Sequence, residues 1–439
     1  MIEIINKNNC CGCEACVQAC PKQCISFEAD GEGFCYPKVD KLICVECGAC
    51  ERSCPNLSPF DSSKPKSQIA AINPNNIIRE ESSSGGIFTM LSEKVIEAGG
   101  VVFGVRFDEQ WQAVFDYTDT LEGLAAFRGS KYIQARVGQA FVETRAFLKE
   151  GRKVLFTGTP CQIAAIRHFL KRDYDNLLLV DFVCHGVPSP KVWKIYLNEV
   201  TDNAENAIKD NRFRNKRQGW KHFNFDLTYD RESKHYSISS WHLSNHFMRI
   251  FLKDVILRPS CYACSAKGGR SGSDVTIADF WGIDKMNPQM DDDKGTSLVL
   301  VNTDKGSAYV DELAIKRWET SYEDVVKYNP AIEHSAKEHA KRAYFFSKLD
   351  SSPSVVNLID DTLRAPFSKR IKITLKRVAG KIFYTLTGRI GGGKFDNKEI
   401  IKEIPTITQS ESVYLTTINF RSKQYGWKRY KLNIKLSSR

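Results

Sequence analysis

The alternation of apolar and polar residues changes character along the chain, and each change predicts a different kind of element. In "ISFEADGEGFCYPKVD", starting at Ile25, two short alternating runs flank Asp30-Gly31-Glu32-Gly33, the pattern of two strands joined by a turn. "NLSPFDSSKPKS", residues 56–67, has no period and is rich in Ser and Pro, so it reads as a linker. Beyond it, strand and helix patterns alternate. "SQIAAIN" predicts a strand, and "ESSSGGIFTMLSEKVIEAGG" a Ser/Gly loop opening an amphipathic helix that ends on Gly99-Gly100. "VVFGVRF" predicts the next strand. Farther on, a strand over 153–157 runs into Gly158-Thr159-Pro160, a helix covers 161–171, and a second strand covers 177–183. A strand–helix–strand unit this short makes its strands parallel.

Two segments depart from this rhythm. Residues 186–258, with "RFRNKRQGWKHFNFDLTYDRESKHYSISS", form a strand-rich insert expected to shape a substrate entrance. Near the end, Ile371, Leu375, Val378, Ile382, Leu386 and Ile390 recur at helical spacing among Lys369, Arg370, Lys372, Lys376, Arg377 and Lys381. That is a basic amphipathic helix, able to lie on an anionic membrane surface or to pack on its own domain or a partner.

Composition sharpens the picture. The 439 residues carry a net charge of +11, yet residues 366–439 alone hold 17 Lys+Arg against 4 Asp+Glu. The remainder is nearly neutral, so the chain is not read as a nucleic-acid binder. No apolar run reaches membrane-spanning length, and "MIEIINKNNC" has neither the basic start nor the apolar core of a signal peptide. The expected compartment is the cytoplasm, with the tail peripheral to the inner membrane surface. There, dense cysteines hold metals more often than disulfides.

The chain has 15 cysteines. Cys10-x2-Cys13-x2-Cys16-x3-Cys20-Pro21 recurs with identical spacing as Cys44-x2-Cys47-x2-Cys50-x3-Cys54-Pro55. This is the run of two-cluster bacterial ferredoxins, in which the fourth cysteine ligates the other cluster. Two-residue gaps let a tight loop wrap three thiolates around one face of a cubane. One 4Fe-4S cluster is therefore assigned to Cys10, Cys13, Cys16 and Cys54, and a second to Cys44, Cys47, Cys50 and Cys20. Zinc needs four ligands per site and no such crossover, so it is the weaker reading. Cys11, Cys24 and Cys35 fall outside the pattern and read as spare thiols.

Four more cysteines follow in the body. Cys161 and Cys184 lie just past the carboxyl ends of the two parallel strands, the edge where open α/β sheets place ligands. "RPSCYAC" adds Cys261 and Cys264. Four thiols serve a third 4Fe-4S cluster, the favoured reading; zinc, a redox disulfide or plain core thiols are the alternatives. The turn Ser82-Ser83-Ser84-Gly85-Gly86 at a helix N-terminus offers N–H groups that suit a phosphate, though an ordinary cap explains it as well.

The sequence "SSGG", "GSKYIQA", "GTPCQIAAI", "VDFVCHGVPSP", C-x-x-C and "VTIADFWG", in that order, resembles the coenzyme F420 hydrogenase/dehydrogenase beta-subunit family. The resemblance covers about residues 1–345. It implies a flavin, usually FAD, beside a cluster in the body, and an oxidoreductase that moves electrons between a ferredoxin-type module and an organic substrate or coenzyme. Ser83, Ser84, Gly85 and Gly86 would then face the flavin phosphates or ring, Lys131 would meet phosphate or the reduced ring, and Asp279 would bind a sugar hydroxyl. Trp281 would pack near the ring, and His185 would lie close to the flavin. His185 and Lys131 are the candidate catalytic residues. Many bacterial members are described only as polysaccharide-biosynthesis reductases. A ferredoxin or another oxidoreductase subunit is the implied partner; the alternative is a non-enzymatic electron-transfer subunit. The expected architecture is an α+β ferredoxin-like dicluster module (1–57), a flavin-associated region (68–150), an α/β region with a partly parallel sheet (151–345) and a basic helical tail (366–439).

Overall fold

The alternating runs around Asp30–Gly33 do pair. In the computed structural model, strands β1 (Ile25–Ala29) and β2 (Cys35–Val39) form an antiparallel hairpin, Ile25 opposite Val39 and Ala29 opposite Cys35. Asp30 closes its turn by accepting from the Glu32 and Phe34 amides. The described residues are 1–364 together with Thr408–Ser410, Val413–Ser422 and Gly426–Lys435.

The body is built on one eight-stranded mixed sheet. Its strands are β3 (Ser67–Ile72), β4 (Val101–Phe107), β5 (Ala113–Thr118), β6 (Val154–Gly158), β7 (Leu177–Phe182), β11 (Val275–Asp279), β12 (Ser297–Val301) and β13 (Lys316–Glu319), in the order β13-β3-β12-β11-β7-β6-β4-β5. The centre is parallel: β4 pairs β6, β6 pairs β7 and β7 pairs β11, all in one direction. β12, β13 and β5 run antiparallel to their neighbours. The expected strand–helix–strand unit is present, since β6 and β7 are adjacent and parallel.

Helices cover both faces, as unbroken apolar strands such as Leu177–Val180 require. On one face α1 (Ile87–Glu97) packs Leu91 and Val95 over Val102, Leu155 and Val180. On the other, α2 (Ala140–Lys149) and α3 (Pro160–Leu170) pack Phe141, Ile163 and Phe169 over Phe103, Phe156 and Leu179. The 186–258 segment contributes a separate three-stranded antiparallel sheet, β8 (Ile208–Asn215), β9 (Asn224–Arg231) and β10 (Lys234–Trp241), with a buried aromatic core of Trp193, Phe213, Phe225 and Phe247.

The N-terminal module is seated on this body, within one compact unit spanning Met1–Leu363. The buried Glu14 carboxylate accepts from Arg136 Nε (3.0 Å), Val137 N (3.0 Å) and Gly138 N (3.2 Å). Gln18 Oε1 accepts from the Phe141 and Val142 amides (3.0 and 3.3 Å), two orphan donors of the first turn of α2. Arg342 makes a bidentate pair with Glu32 at the hairpin turn. Residues 56–67 are laid along the surface: Phe60 stacks on His168 at 4.6 Å, and the Ser62 and Ser63 hydroxyls donate to Gly268 O and Gly269 O.

Arg364–Arg439 form a second unit. The helix expected over 371–390 lies outside the described residues. The described part of this tail is not helical: Thr408–Ser410 (β14), Val413–Ser422 (β15) and Gly426–Lys435 (β16) make an antiparallel sheet. "VYLTTINF" is rich in β-branched and aromatic residues, a strand signal passed over beside the basic helix. Among the described residues no helix is long and apolar enough to cross a membrane.

Candidate functional site

The repeated cysteine spacing produces a repeated backbone. Gly12 and Glu46, each two residues after the first cysteine of its run, are left-handed (φ 72° and 50°). So are Glu14 and Gly48, each four residues after it (φ 59° and 68°). These turns curl the loops so that their thiols face inward, and each loop then enters a one-turn helix, Ala15–Gln18 or Ala49–Arg52. Glu46 holds the strained conformation without being glycine, which a non-glycine residue adopts only where the surroundings enforce it.

The structure gathers the module thiols into two neighbouring groups. Cys16 and Cys13 are buried, with Cys10 and Cys54 acting on Cys16 and with Cys54 and Cys16 acting on Cys13. Burial, reinforced by Cys10 and Cys54, pushes the Cys16 thiol well up. Cys20, Cys44, Cys47 and Cys50 line a cavity, with Cys24 Sγ 3.4 Å from Cys20 Sγ. The second group is the outward one: Cys47 is exposed, beside Leu42 at 98% exposure and the exposed Val45.

A third gathering lies at the carboxyl edge of the parallel strands. Cys161 is the second residue of α3, after a capping box made by Thr159 and Gln162 with Pro160 between them. Cys184 follows β7. Cys261 and Cys264 come from the 3-10 turn Pro259–Ala263 and its cap. All four line one cavity that opens to solvent. Burial pushes Cys184 up to about 12 and Cys264 up to about 11, with Cys161 adding to both. Thr159 Oγ1 stands 3.2 Å from Cys161 Sγ, and Val187 N donates to Cys261 Sγ at 3.4 Å.

A buried set of thiols that raise one another's pKa resists ionisation until a cationic centre is added, and this is the environment of a metal-held thiolate. A single zinc ion would draw its sulfurs to about 2.3 Å from one point. Among the described residues no three His, Cys, Asp or Glu side chains converge closely enough for one ion. The cysteine-only donor sets are consistent with iron–sulfur clusters.

Cys11, read as a spare thiol, lies in the wall of the third cavity. It contacts Cys13 on one side and Cys161 on the other. The module and body groups are therefore contiguous.

The residues expected around a flavin sit on the same edge of the sheet, but most of their polar groups have protein partners. Ser83 Oγ is 2.8 Å from Ser130 Oγ and accepts from Ser130 N at 2.8 Å. Ser84 Oγ donates to Thr296 O (2.9 Å), and Ser297 Oγ accepts from Gly85 N (3.0 Å). A Cβ on Gly85 would come within 2.5 Å of Ala71 O, so only glycine fits there. Gly86 caps α1 with φ 82° and no side-chain cap, which leaves helix N–H groups without a side-chain acceptor. Lys131 Nζ donates to Ala126 O (2.8 Å) and Arg128 O (2.9 Å), and burial pushes it down to about 7. His185 is 2.6 Å from Asp254 Oδ1, on the rim of the third cavity. Asp279 pairs with Arg214 and accepts from Trp220 Nε1 at 2.8 Å, while Trp281 stacks on Trp220 at 4.9 Å.

Two cations were missed in the sequence because they lie in the run read as an insert. Arg214 has a side chain only 3% exposed, with Nε and Nη2 buried and unpartnered. Lys216 Nζ donates to Ser84 O (2.9 Å), Lys294 O (2.7 Å) and Arg79 O (2.5 Å), so it ties the Ser/Gly loop to the Arg214 strand. Unpartnered guanidinium N–H groups beside Asp279 fit an anionic group such as that of a flavin nucleotide.

Residues 151–324 match the family model that describes the C terminus of the coenzyme F420 hydrogenase/dehydrogenase beta subunit. The chain is similar to an uncharacterized protein of Methanocaldococcus jannaschii, 27% identical over 208 residues covering 40% of this chain and 56% of that one. It is similar to the F subunit of the F(420)H(2) dehydrogenase of Methanosarcina mazei, 24% identical over 187 residues, 40% of this chain and 53% of that one. The chain spans about half the length of these curated relatives. A chain in a solved F420-reducing nickel–iron hydrogenase complex from Methanosarcina barkeri is 16% identical, with a TM-score of 0.43, over 62% of this chain and 90% of that one. The matched segment, 151–324, is the one that carries Cys161, Cys184, Cys261 and Cys264.

Proposed function

We propose that the chain is an iron–sulfur flavoprotein oxidoreductase, linking an N-terminal ferredoxin-type module to a flavin that serves an organic substrate or coenzyme. The observation that carries this is the continuity of thiols, from the Cys10, Cys13, Cys16 and Cys54 group through Cys11 to the cavity of Cys161, Cys184, Cys261 and Cys264. Clusters held by these cysteines would supply one-electron transfer, and FAD or another flavin would match it to two-electron chemistry. Cys20, Cys44, Cys47 and Cys50 would hold the outermost cluster.

Arg214 and the N-terminus of α1 would hold the anionic part of the flavin, with Ser83, Ser84, Gly85 and Gly86 shaping the loop and Asp279 fixing Arg214. Lys131, with its pKa brought down to about 7, is able to hold or release a proton near neutrality. His185 is oriented by Asp254 at the cavity rim. The Methanosarcina mazei relative is by name one subunit of a dehydrogenase. A ferredoxin or a second oxidoreductase subunit is accordingly the proposed partner, in a reducing cytoplasm.

A second reading, a relay subunit without a flavin, is favoured by one observation: the Ser84 hydroxyl, the Gly85 amide and the Asp279 carboxylate are already taken by protein partners. Anaerobically purified protein separates the two. A bound flavin with turnover of a soluble acceptor supports the enzyme; iron and sulfide with no flavin would support the relay.

A further inference from the structure

Arg258 is a fully buried cation that the proposed function leaves unused. It is 0% exposed and stands three residues before Cys261. Its guanidinium reaches out of the body into the module. Nε donates to Cys10 O at 2.7 Å, Nη2 to Cys35 O at 2.9 Å and to Cys10 Sγ at 3.4 Å, and Nη1 to Gln134 Oε1 at 3.0 Å. The Tyr36 and Phe34 rings enclose it at 4.4 and 5.5 Å. Gly12 makes room for it: a Cβ there would lie 2.7 Å from Nη1.

Burying a guanidinium is costly unless anions surround it. Around it stand the Cys10 sulfur, the Cys10 and Cys35 carbonyls, the Gln134 amide oxygen and the Tyr36 ring. As a neutral thiol, Cys10 compensates the guanidinium poorly. As a thiolate of a cluster it matches it.

The potential of such a cluster follows its net charge, the hydrogen bonds to its sulfurs and its exposure. The two module sites differ in exposure and in where their cations point. The Cys10 site has a buried cation donating to a ligand sulfur. At the other site the Met1 ammonium, in the cavity wall, donates to Glu51, and Arg52 donates to the Cys47 carbonyl (2.9 Å) rather than to a sulfur and is exposed to screening by solvent.

We propose that Arg258 is a positioning residue that sets the potential of the cluster held by Cys10, Cys13, Cys16 and Cys54 above that of the cluster held by Cys20, Cys44, Cys47 and Cys50. An electron added to the module then rests on the side that faces the body. One electron changes place within the chain, with no proton transferred and no bond made. This rests on the iron–sulfur reading of the module.

The test is a potentiometric EPR titration of the anaerobic full-length protein, with dithionite and mediators, in wild type, Arg258→Met, Arg258→Gln and Arg258→Lys. Iron content is measured first. Protein without iron overturns the cluster reading itself. With iron present, the neutral variants should lower the preference of the inner site for the electron at least tenfold, about 59 mV for a one-electron couple. The outer site should stay within twofold, and Arg258→Lys should fall between. Unchanged potentials, or an equal fall at both sites, overturn the inference alone. Should neither neutral variant assemble the inner cluster, Arg258→Lys decides: a lowered inner potential supports the proposal and an unshifted one overturns it.

Discussion

Glu14→Ala tests whether the module is welded to the body. The Glu14 side chain is 5% exposed and accepts three N–H groups. Arg136 is 48% exposed, so water replaces its lost bond and the cost there is small. Val137 N is buried and loses a charged acceptor, worth about 1–3 kcal/mol; Gly138 N, part-buried, loses roughly half as much. The sum is about 2–4 kcal/mol. Glu14→Gln keeps a carbonyl acceptor and should cost about 1 kcal/mol. The assay is anaerobic urea unfolding of the iron-loaded protein, with amide exchange followed across residues 136–142. A change below about 0.5 kcal/mol for Glu14→Ala, with unaltered exchange, would refute the docking argument, since surface substitutions give effects of that size.

The remaining expectations follow from single sites. Cys184→Ser or Cys261→Ser should remove about 4 iron atoms per chain and leave the module signals in the EPR spectrum intact. Cys11→Ser should keep the full iron content, because Cys11 lies between two sets that are each complete with four cysteines; loss of a cluster would make it a ligand. Asp279→Asn breaks a buried ion pair and should cost about 3–5 kcal/mol of unfolding free energy, read from urea denaturation. Burial pushes the Asp181 carboxyl from 3.8 up to about 6. Between those values the folded state keeps a proton that the unfolded state has released, so stability falls as pH rises through the window, by about 3 kcal/mol in all. Asp181→Asn should flatten that stretch of the stability–pH curve.

Much of this was legible because spacing is local. The 34-residue offset between the cysteine runs announces two matched loops, and the backbone repeats their left-handed residues in register. The β6–α3–β7 unit was legible for the same reason: its strand, Thr-Pro cap and helix are contiguous in sequence. What stayed hidden depends on contacts between distant residues. Arg258 is written plainly in "RPSC", but nothing local says that its fork crosses into a loop 248 residues away. Glu14 looks like a surface acid between two ligands until α2 arrives with amides to satisfy. Residues 56–67 have a linker's composition, yet they lie against Gly268 and His168. The Ser/Gly loop illustrates the opposite case. Its composition suggests an open phosphate cradle, while the start of β12 takes up the Ser84 and Gly85 groups, and the unpartnered cationic N–H groups come instead from Arg214, in a segment read as an insert at a substrate entrance.

Iron and acid-labile sulfide per chain, measured on anaerobically purified protein, test the central claim most directly. Three thiol sets predict about 12 of each, without zinc. About 8 iron atoms, or zinc in place of iron in the body cavity, would contradict a continuous iron–sulfur path from the module into the sheet edge.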